Sequence, residues 1–204
     1  MIGIVDYGLG NTQALINIYK RLGISATLVK NSADFSMVKR IILPGVGAFD
    51  WAMERLEKSG MLPELNRFAL QECKPVLGIC VGMQMMAHRS EEGTVDGLGW
   101  LKAEVKRFDE TCLRGCTHLP HMGWNDVTPV DGVDLFYGMN ESLRFYFLHS
   151  YYFSSNDPGD VLASTLYGKS FTCAVRRGNL YGVQFHPEKS HDWGVQLLKN
   201  FASI

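Results

Sequence analysis

The sequence predicts an α/β fold with a mostly parallel central sheet, helices on both faces and an antiparallel β extension. Two observations predict it. The first ninety residues alternate short apolar runs with amphipathic segments of helical period, the pattern of a parallel sheet wrapped by helices. Beyond them, alternating apolar and polar runs are separated by glycine-bearing pairs, the pattern of antiparallel hairpins. The chain has 204 residues, is 46% hydrophobic and carries a net charge of -1. That suits one sizeable core, and no Pro/Gly/Ser-rich linker, repeat or low-complexity segment divides it, so a single domain over residues 1–204 is expected.

Taken in order, Ile2 to Val5 is an apolar run that reads as the first strand. Gly8-Leu9-Gly10-Asn11 is a loop, and Thr12 is the expected cap of a helix. That helix turns Leu15, Ile16, Ile18, Tyr19 and Leu22 to one side and ends at Gly23. Gly8-x-Gly10 after a strand invites a dinucleotide reading, but Gln13 stands at the third position of that fingerprint, where close packing needs glycine or alanine. Ala26 to Val29 and Arg40 to Leu43 are the next strands. The second of these runs into Pro44-Gly45-Val46-Gly47, a loop whose glycines let backbone N–H groups face a ligand or simply make a tight turn. A helix from Phe49 to Lys58 ends at Gly60, and another follows Pro63. Leu101 to Lys106 alternates as a half-exposed strand does, and Arg144–Phe153, Val161–Tyr167, Phe171–Arg176 and Leu180–Phe185 are further strands. Gly168-Lys169 and Gly178-Asn179 read as hairpin turns, and Ser190 as the cap of a last helix that packs Val195, Leu197, Leu198 and Phe201 inward.

The near-zero charge gives no electrostatic reason to expect nucleic acid or anionic membrane as a partner. No apolar run is long enough to span a bilayer, and Met1 to Asp6 enters a strand with no basic region or cleavage site of a signal peptide. The five cysteines, Cys73, Cys80, Cys112, Cys116 and Cys173, are odd in number and scattered, which argues for a reducing, cytoplasmic setting.

Chemistry concentrates in Pro75-Val76-Leu77-Gly78-Ile79-Cys80-Val81-Gly82-Met83-Gln84. This is an apolar strand that ends on a cysteine and turns at once into a helix, with Met83, Met85, Met86 and Ala87 continuing the helical run. Glycines two residues before and after Cys80 match a nucleophile elbow with a thiol in place of the serine hydroxyl. A helix N-terminus favours a thiolate, and the Val81 N–H is aimed where an oxyanion would form. The competing reading is a buried structural cysteine. A thiolate needs a base, and the base an orienting acceptor. Of the six histidines, His186 ends a strand, is pinned by Pro187 and has Glu188 two residues on, so it is the candidate base, while His88 and His191 read as ordinary surface or core residues.

Gly78–Gln84 together with Gln184-Phe185-His186-Pro187-Glu188 resembles the class I glutamine amidotransferases, which use a Cys-His-Glu triad. Pro44–Gly47, Pro120-His121-Met122-Gly123-Trp124-Asn125, Tyr146–Tyr152 and Lys189-Ser190 narrow the resemblance, over essentially the whole chain, to the glutaminase subunits of imidazole glycerol phosphate synthases. The resemblance implies that Cys80 attacks the glutamine side-chain amide, His186 protonates departing ammonia and Glu188 orients His186. It also implies an oxyanion hole from Val81 with the Val46–Gly47 loop, and Gln84, Ser150 and Tyr151 around the amino-acid end of L-glutamine. A separate (β/α)8-barrel cyclase would receive the ammonia in histidine biosynthesis, against a face that includes Asn11, Trp124, Tyr146 and Lys189. No cofactor, nucleic acid or membrane partner is implied. Asp6–Asn11 and Val81–Met86 also resemble relatives that feed a cyclase-like barrel for amidino sugars of surface polysaccharides.

One reading of another class stays open. Cys112, Cys116, His118 and His121 supply two thiols and two imidazoles, a complete tetrahedral zinc set, although the spacing is very short for a structural module.

Overall fold

The computed structural model describes residues 1–113, 118–139 and 142–204. The chain opens with β1 (Ile2–Val5), buried along its whole length, and α1 (Thr12–Arg21). Asn11, not Thr12, caps α1, its side chain accepting from the Ala14 N–H, because the helix starts one residue earlier than the threonine suggests. β2 (Ala26–Val29), β3 (Arg40–Gly45), α2 (Phe49–Lys58) and α3 (Leu62–Asn66) follow the expected alternation. Next come β4 (Val76–Cys80) and α4 (Val81–Gln84).

α4 is much shorter than the Met83–Ala87 run suggests. The carbonyls that would continue it are taken from outside: Met85 O accepts from Leu98 N, Met86 O from Leu101 N and Ala87 O from Gly99 N. A returning segment therefore replaces the next helical turn, satisfying the same backbone groups in another way.

The second half adds β5 (Arg89–Ser90), β6 (Ala103–Arg107), β7 (His121–Asp126) and β8 (Thr128–Pro129). Then come β9 (Arg144–His149), β10 (Tyr151–Ser155), β11 (Val161–Tyr167), β12 (Lys169–Arg177) and β13 (Leu180–Val183). The chain closes with α5 (His191–Ser203). The run expected as one strand from Arg144 to Phe153 is two, broken at Ser150. β9 pairs with β7 and β10 with β6, in separate small sheets.

The main sheet has the order β2-β1-β3-β4-β13-β12-β11-β8. It is parallel from β2 to β13 and antiparallel from β13 outward, as expected. The decisive adjacency is β4 beside β13 at the centre, with Ile79 in register with Val183, while Gly45 of β3 lies opposite Cys80 on the other side. Three segments far apart in sequence thus release their chains at one sheet edge, the carboxyl ends of parallel strands, where such sheets bind ligands. Ser190 precedes α5 but does not cap it: its hydroxyl donates to the His186 carbonyl at 2.6 Å and accepts from the Tyr146 N–H at 3.0 Å, tying the end of the 186–190 segment to β9. Among the described residues, no helix is long and apolar enough to cross a membrane.

Candidate active site

Cys80 sits between β4 and α4 at φ 54°, ψ -112°, a conformation that costs a non-glycine residue energy and that persists only where its surroundings impose it. The imposition is visible. A Cβ on Gly82 would lie 1.9 Å from the Leu43 carbonyl oxygen, so the turn presses against β3 with no room for a side chain. Gly82→Ala is therefore expected to open the turn, lowering stability by about 1–3 kcal/mol by overpacking and slowing alkylation of Cys80 more than that of Cys73. Denaturant melts with cysteine-resolved labelling check both, and a variant with wild-type melting and labelling would contradict this account of the elbow.

His186 is buried beside Cys80, and its Nδ1 lies 2.9 Å from Glu188 Oε1. With Nδ1 held by the carboxylate, Nε2 is the nitrogen left for the thiol. Burial opposes a charge on the imidazole, but the hydrogen bonds to Cys80 and Glu188, and the negative charge on each, outweigh it and push His186 up to about 10.

A cavity of about 290 Å³ opens over the pair, and its walls include Val46, Gly47, Val81, Gln84, Ser150, Tyr151 and Lys189. All the residues expected at the oxyanion and substrate positions therefore line one pocket with Cys80 and His186. The Pro44–Gly47 loop is pinned at its start and free at its end. The Tyr7 hydroxyl donates to the Pro44 carbonyl at 2.7 Å, and Gly45 packs on the Gly82 backbone. Gly47, at φ 84°, has open space where a Cβ would project. Lys189, on the pocket wall, sets its Nζ 5.7 Å from the Tyr146 ring centroid, and beyond it Trp124 is 38% exposed and meets the Tyr146 ring edge-on at 6.3 Å. Asn11 is exposed beside Gly10, which packs on Pro44. Of the four residues expected at a partner face, Trp124, Tyr146 and the pocket-lining Lys189 thus cluster together, and Trp124 is exposed.

Several groups at the site were given no role by the sequence. Tyr7 is one: burial, and then the charge of Cys80, hold its phenol well above the usual range. Glu92 lines the pocket and accepts the Phe49 N–H at 2.9 Å, and its carboxyl is raised by burial, and less by Asp50, against that hydrogen bond. Gln184, fully buried, donates to Cys80 Sγ at 3.7 Å, and the thiol lies 4.0 Å from the Leu148 carbonyl. His149 lines the pocket and stands 3.0 Å from His121.

His121, one of the possible zinc ligands, has both ring nitrogens engaged, with His149 and Asn125, and its ring is stacked between Phe147 and Tyr167. Cys116 lies outside the described residues, and among the described residues no three His, Cys, Asp or Glu side chains gather to hold a metal.

Burial lowers His121 to about 4. Burial, then the charges of His121 and His186, lower His149 to about 3 against the Tyr151 carbonyl that favours its protonated form. Both are neutral in the fold and take protons in the unfolded chain below the ordinary histidine range, so their contribution is complete above about pH 6.5 and is lost as pH falls toward 4. The acid limb of stability is expected to steepen there by up to about 1.4 kcal/mol per pH unit for each histidine. Urea melts at pH 7, 6 and 5 check this, and an unchanged limb in His149→Phe would count against it.

Residues 3–203 match the family described as glutamine amidotransferase class-I. The chain belongs to the class I glutamine amidotransferase family. It is 54% identical to the imidazole glycerol phosphate synthase subunit HisH of Bdellovibrio bacteriovorus and 47% identical to that of Leptospira interrogans, over 100% of both chains in each case. Its fold is similar to that of a solved glutamine amidotransferase, with a TM-score of 0.73 at 24% identity, covering 100% of this chain and 99% of the other. It is also similar to the glutaminase domain of Trypanosoma brucei CTPS with bound acivicin, at TM-score 0.66 and 19% identity, covering 99% and 93%. These likenesses carry the fold, and in this amidotransferase the elbow thiol and His186 are the groups the fold brings together.

Proposed function

We propose that this amidotransferase hydrolyses L-glutamine to L-glutamate and ammonia with Cys80, His186 and Glu188, and passes the ammonia to a separate (β/α)8-barrel cyclase that forms imidazole glycerol phosphate and an aminoimidazole carboxamide ribotide. The observation that carries it is that Cys80 and His186 line one cavity, with Glu188 Oε1 2.9 Å from His186 Nδ1. The Cys80 thiolate attacks the amide carbon, and the negative charge moves to the carbonyl oxygen. The Val81 N–H and a peptide N–H of Val46–Gly47 receive that charge. The C–N bond breaks as His186 gives its proton to the leaving nitrogen, which departs as ammonia and leaves a thioester. Water adds to the thioester, His186 takes its proton, and glutamate leaves with the thiolate restored. Glu188 keeps His186 in the tautomer and orientation both steps need. Gln84, Ser150 and Tyr151 hold the amino-acid end of glutamine.

The mouth of the pocket lies beside Trp124, Tyr146 and Lys189, with two aromatics of the type that anchor interfaces. We read this face, with Asn11, as the cyclase-docking surface. The names of the relatives support the histidine-pathway acceptor over an amidino-sugar one. The test is reconstitution: this chain and a histidine-pathway cyclase should convert the cyclase's ribonucleotide substrate with glutamine as nitrogen donor. Turnover only with the polysaccharide-pathway barrel would replace the acceptor while leaving the glutaminase.

A further inference from the structure

The hydrogen bonds behind the pocket form one continuous chain whose direction is dictated from both ends. At the outer end, Asn125 Oδ1 accepts the Asp126 N–H at 2.9 Å, so its amide nitrogen donates twice, to the Leu166 carbonyl at 2.9 Å and to His121 Nε2 at 3.1 Å. His121 must then carry its proton on Nδ1 and donate it to His149 Nε2 at 3.0 Å. His149 in turn carries its proton on Nδ1, which donates to the Tyr151 carbonyl at 2.7 Å. At the inner end, the Tyr151 carbonyl can only accept, which sets the Gln84 amide nitrogen beside it, and Gln184 Nε2 donates to Cys80 Sγ at 3.7 Å. Gln184 Oε1 is then the acceptor for Gln84 Nε2 at 3.1 Å, and the second Gln84 N–H goes to the same Tyr151 carbonyl at 3.0 Å.

Two consequences follow from counting lone pairs and hydrogens. The Tyr151 carbonyl has both lone pairs filled, by His149 and Gln84, and has none left for a substrate. Gln84 has spent both N–H groups inside the protein, so the only polar capacity it retains, on the pocket wall, is its amide oxygen. Turning the Gln84 amide over would set its oxygen against two other acceptors, Tyr151 O and Gln184 Oε1.

We propose that Gln184, His149 and His121 are positioning residues that hold the Gln84 amide with its oxygen toward the pocket, as the acceptor for the α-ammonium group of the substrate. This rests on the reading of the pocket as a glutamine site, and it makes Gln84, beside the Glu92 carboxyl on the same wall, an element that selects an amino acid over a deaminated amide. The burial that keeps both histidines neutral supports it, because an added proton on either ring would place two N–H donors face to face. His149 stiffens the bend at Ser150 between β9 and β10; without it the Tyr151 carbonyl keeps one donor and is free to turn.

The experiment uses the full chain and two probes: the L-chloroketone analogue of glutamine, which carries the α-ammonium group, and the same chloroketone without its amino group. The ratio of Cys80 labelling rates reads selection for the ammonium, with the deamino probe correcting for altered thiol reactivity. Wild type should favour the amino probe, and His149→Phe and Gln184→Leu should each lower that ratio about tenfold or more, the effect of misaligning one charge-assisted hydrogen bond. Should His149→Phe not fold, His121→Phe, which preserves the stack between Phe147 and Tyr167, should lower the ratio in the same direction. Nitrogen-15 NMR of the histidines at neutral pH should show His121 and His149 both protonated on Nδ1. A wild-type preference that survives both substitutions, or an Nε2–H tautomer at His149, overturns the positioning role. A wild type that labels equally with both probes overturns the glutamine reading itself.

Discussion

Cys80→Ala and Cys80→Ser are expected to lower ammonia release from glutamine by about four orders of magnitude or more, because residues that act as a unit lose nearly the whole rate when one is removed. Serine does not rescue, since a hydroxyl is far less ionised than a thiol near neutral pH. Glu188 holds the His186 ring from its Nδ1 side at 2.9 Å, and neither alanine nor serine gives that imidazole an acidic thiol to act on. His186→Ala should cost about as much as loss of Cys80. Glu188→Gln should cost less, because it weakens the hold on Nδ1 and leaves the base in place. Cys73, exposed, and Cys173, buried on β12, have no part in the pocket and should tolerate alanine in the glutaminase assay. Ammonia assays on the assembled enzyme, with mass mapping of the thiol labelled by a glutamine-analogue electrophile, check the set. Labelling at any cysteine other than Cys80, or wild-type turnover in His186→Ala, would sink the triad.

The second large effect is activation by the partner. The isolated chain is expected to hydrolyse glutamine about a hundred- to a thousandfold more slowly than the chain bound to its cyclase and the cyclase's ribonucleotide substrate, the factor associated with one oxyanion donor. The loop geometry gives the reason. Tyr7 and the Gly82 backbone hold Pro44 and Gly45, so a peptide flip there would break established contacts. Among the described residues the Val46–Gly47 peptide shows no such anchor: Val46 is 38% exposed, and Gly47 already sits at a positive φ with open space where a Cβ would project. An N–H turned into the pocket completes the oxyanion hole, whereas a carbonyl there opposes the developing charge. A partner seated over Asn11, Trp124, Tyr146 and Lys189 would border this loop and bias it, and would close the ammonia path to water. Steady-state rates for the chain alone, with the cyclase, and with the cyclase plus its substrate test this. Full activity in the isolated chain would refute the gating and leave the triad standing.

Much of this site was legible because local rules wrote it. The glycines at 78 and 82 mark a turn with no room for side chains, and the His-Pro-Glu run marks a base with its orienter close by. What stayed hidden shares one cause: each group's partner comes from a distant segment. Tyr7 is an unremarkable aromatic until its hydroxyl meets Pro44, 37 residues on. Gln184 looks like a polar residue at a strand end until it meets Gln84, 100 residues away, and Cys80, 104 away. The helix predicted through Met86 and Ala87 stopped at Gln84 because residues 98–101 bind its carbonyls. Ser190 gave up its capping role to Tyr146 and His186 for the same reason.

By itself, then, the sequence determined the alternation of strands and helices in the first half, the thiol on its elbow, the base with its carboxylate and the family they belong to, while β5, β7 and β8 carried no pattern it could read. All of these are set by periodicity, turn sterics and residues at most a few positions apart. The tertiary structure alone decided that β13 lies against β4, which delivers His186 to Cys80 across more than a hundred residues. It also decided which way each amide and imidazole behind the pocket points. The physical reason is that a hydrogen-bond donor's direction is defined only by the acceptor it meets, and here the acceptors are a carbonyl at a strand break and a sulfur at the end of another strand.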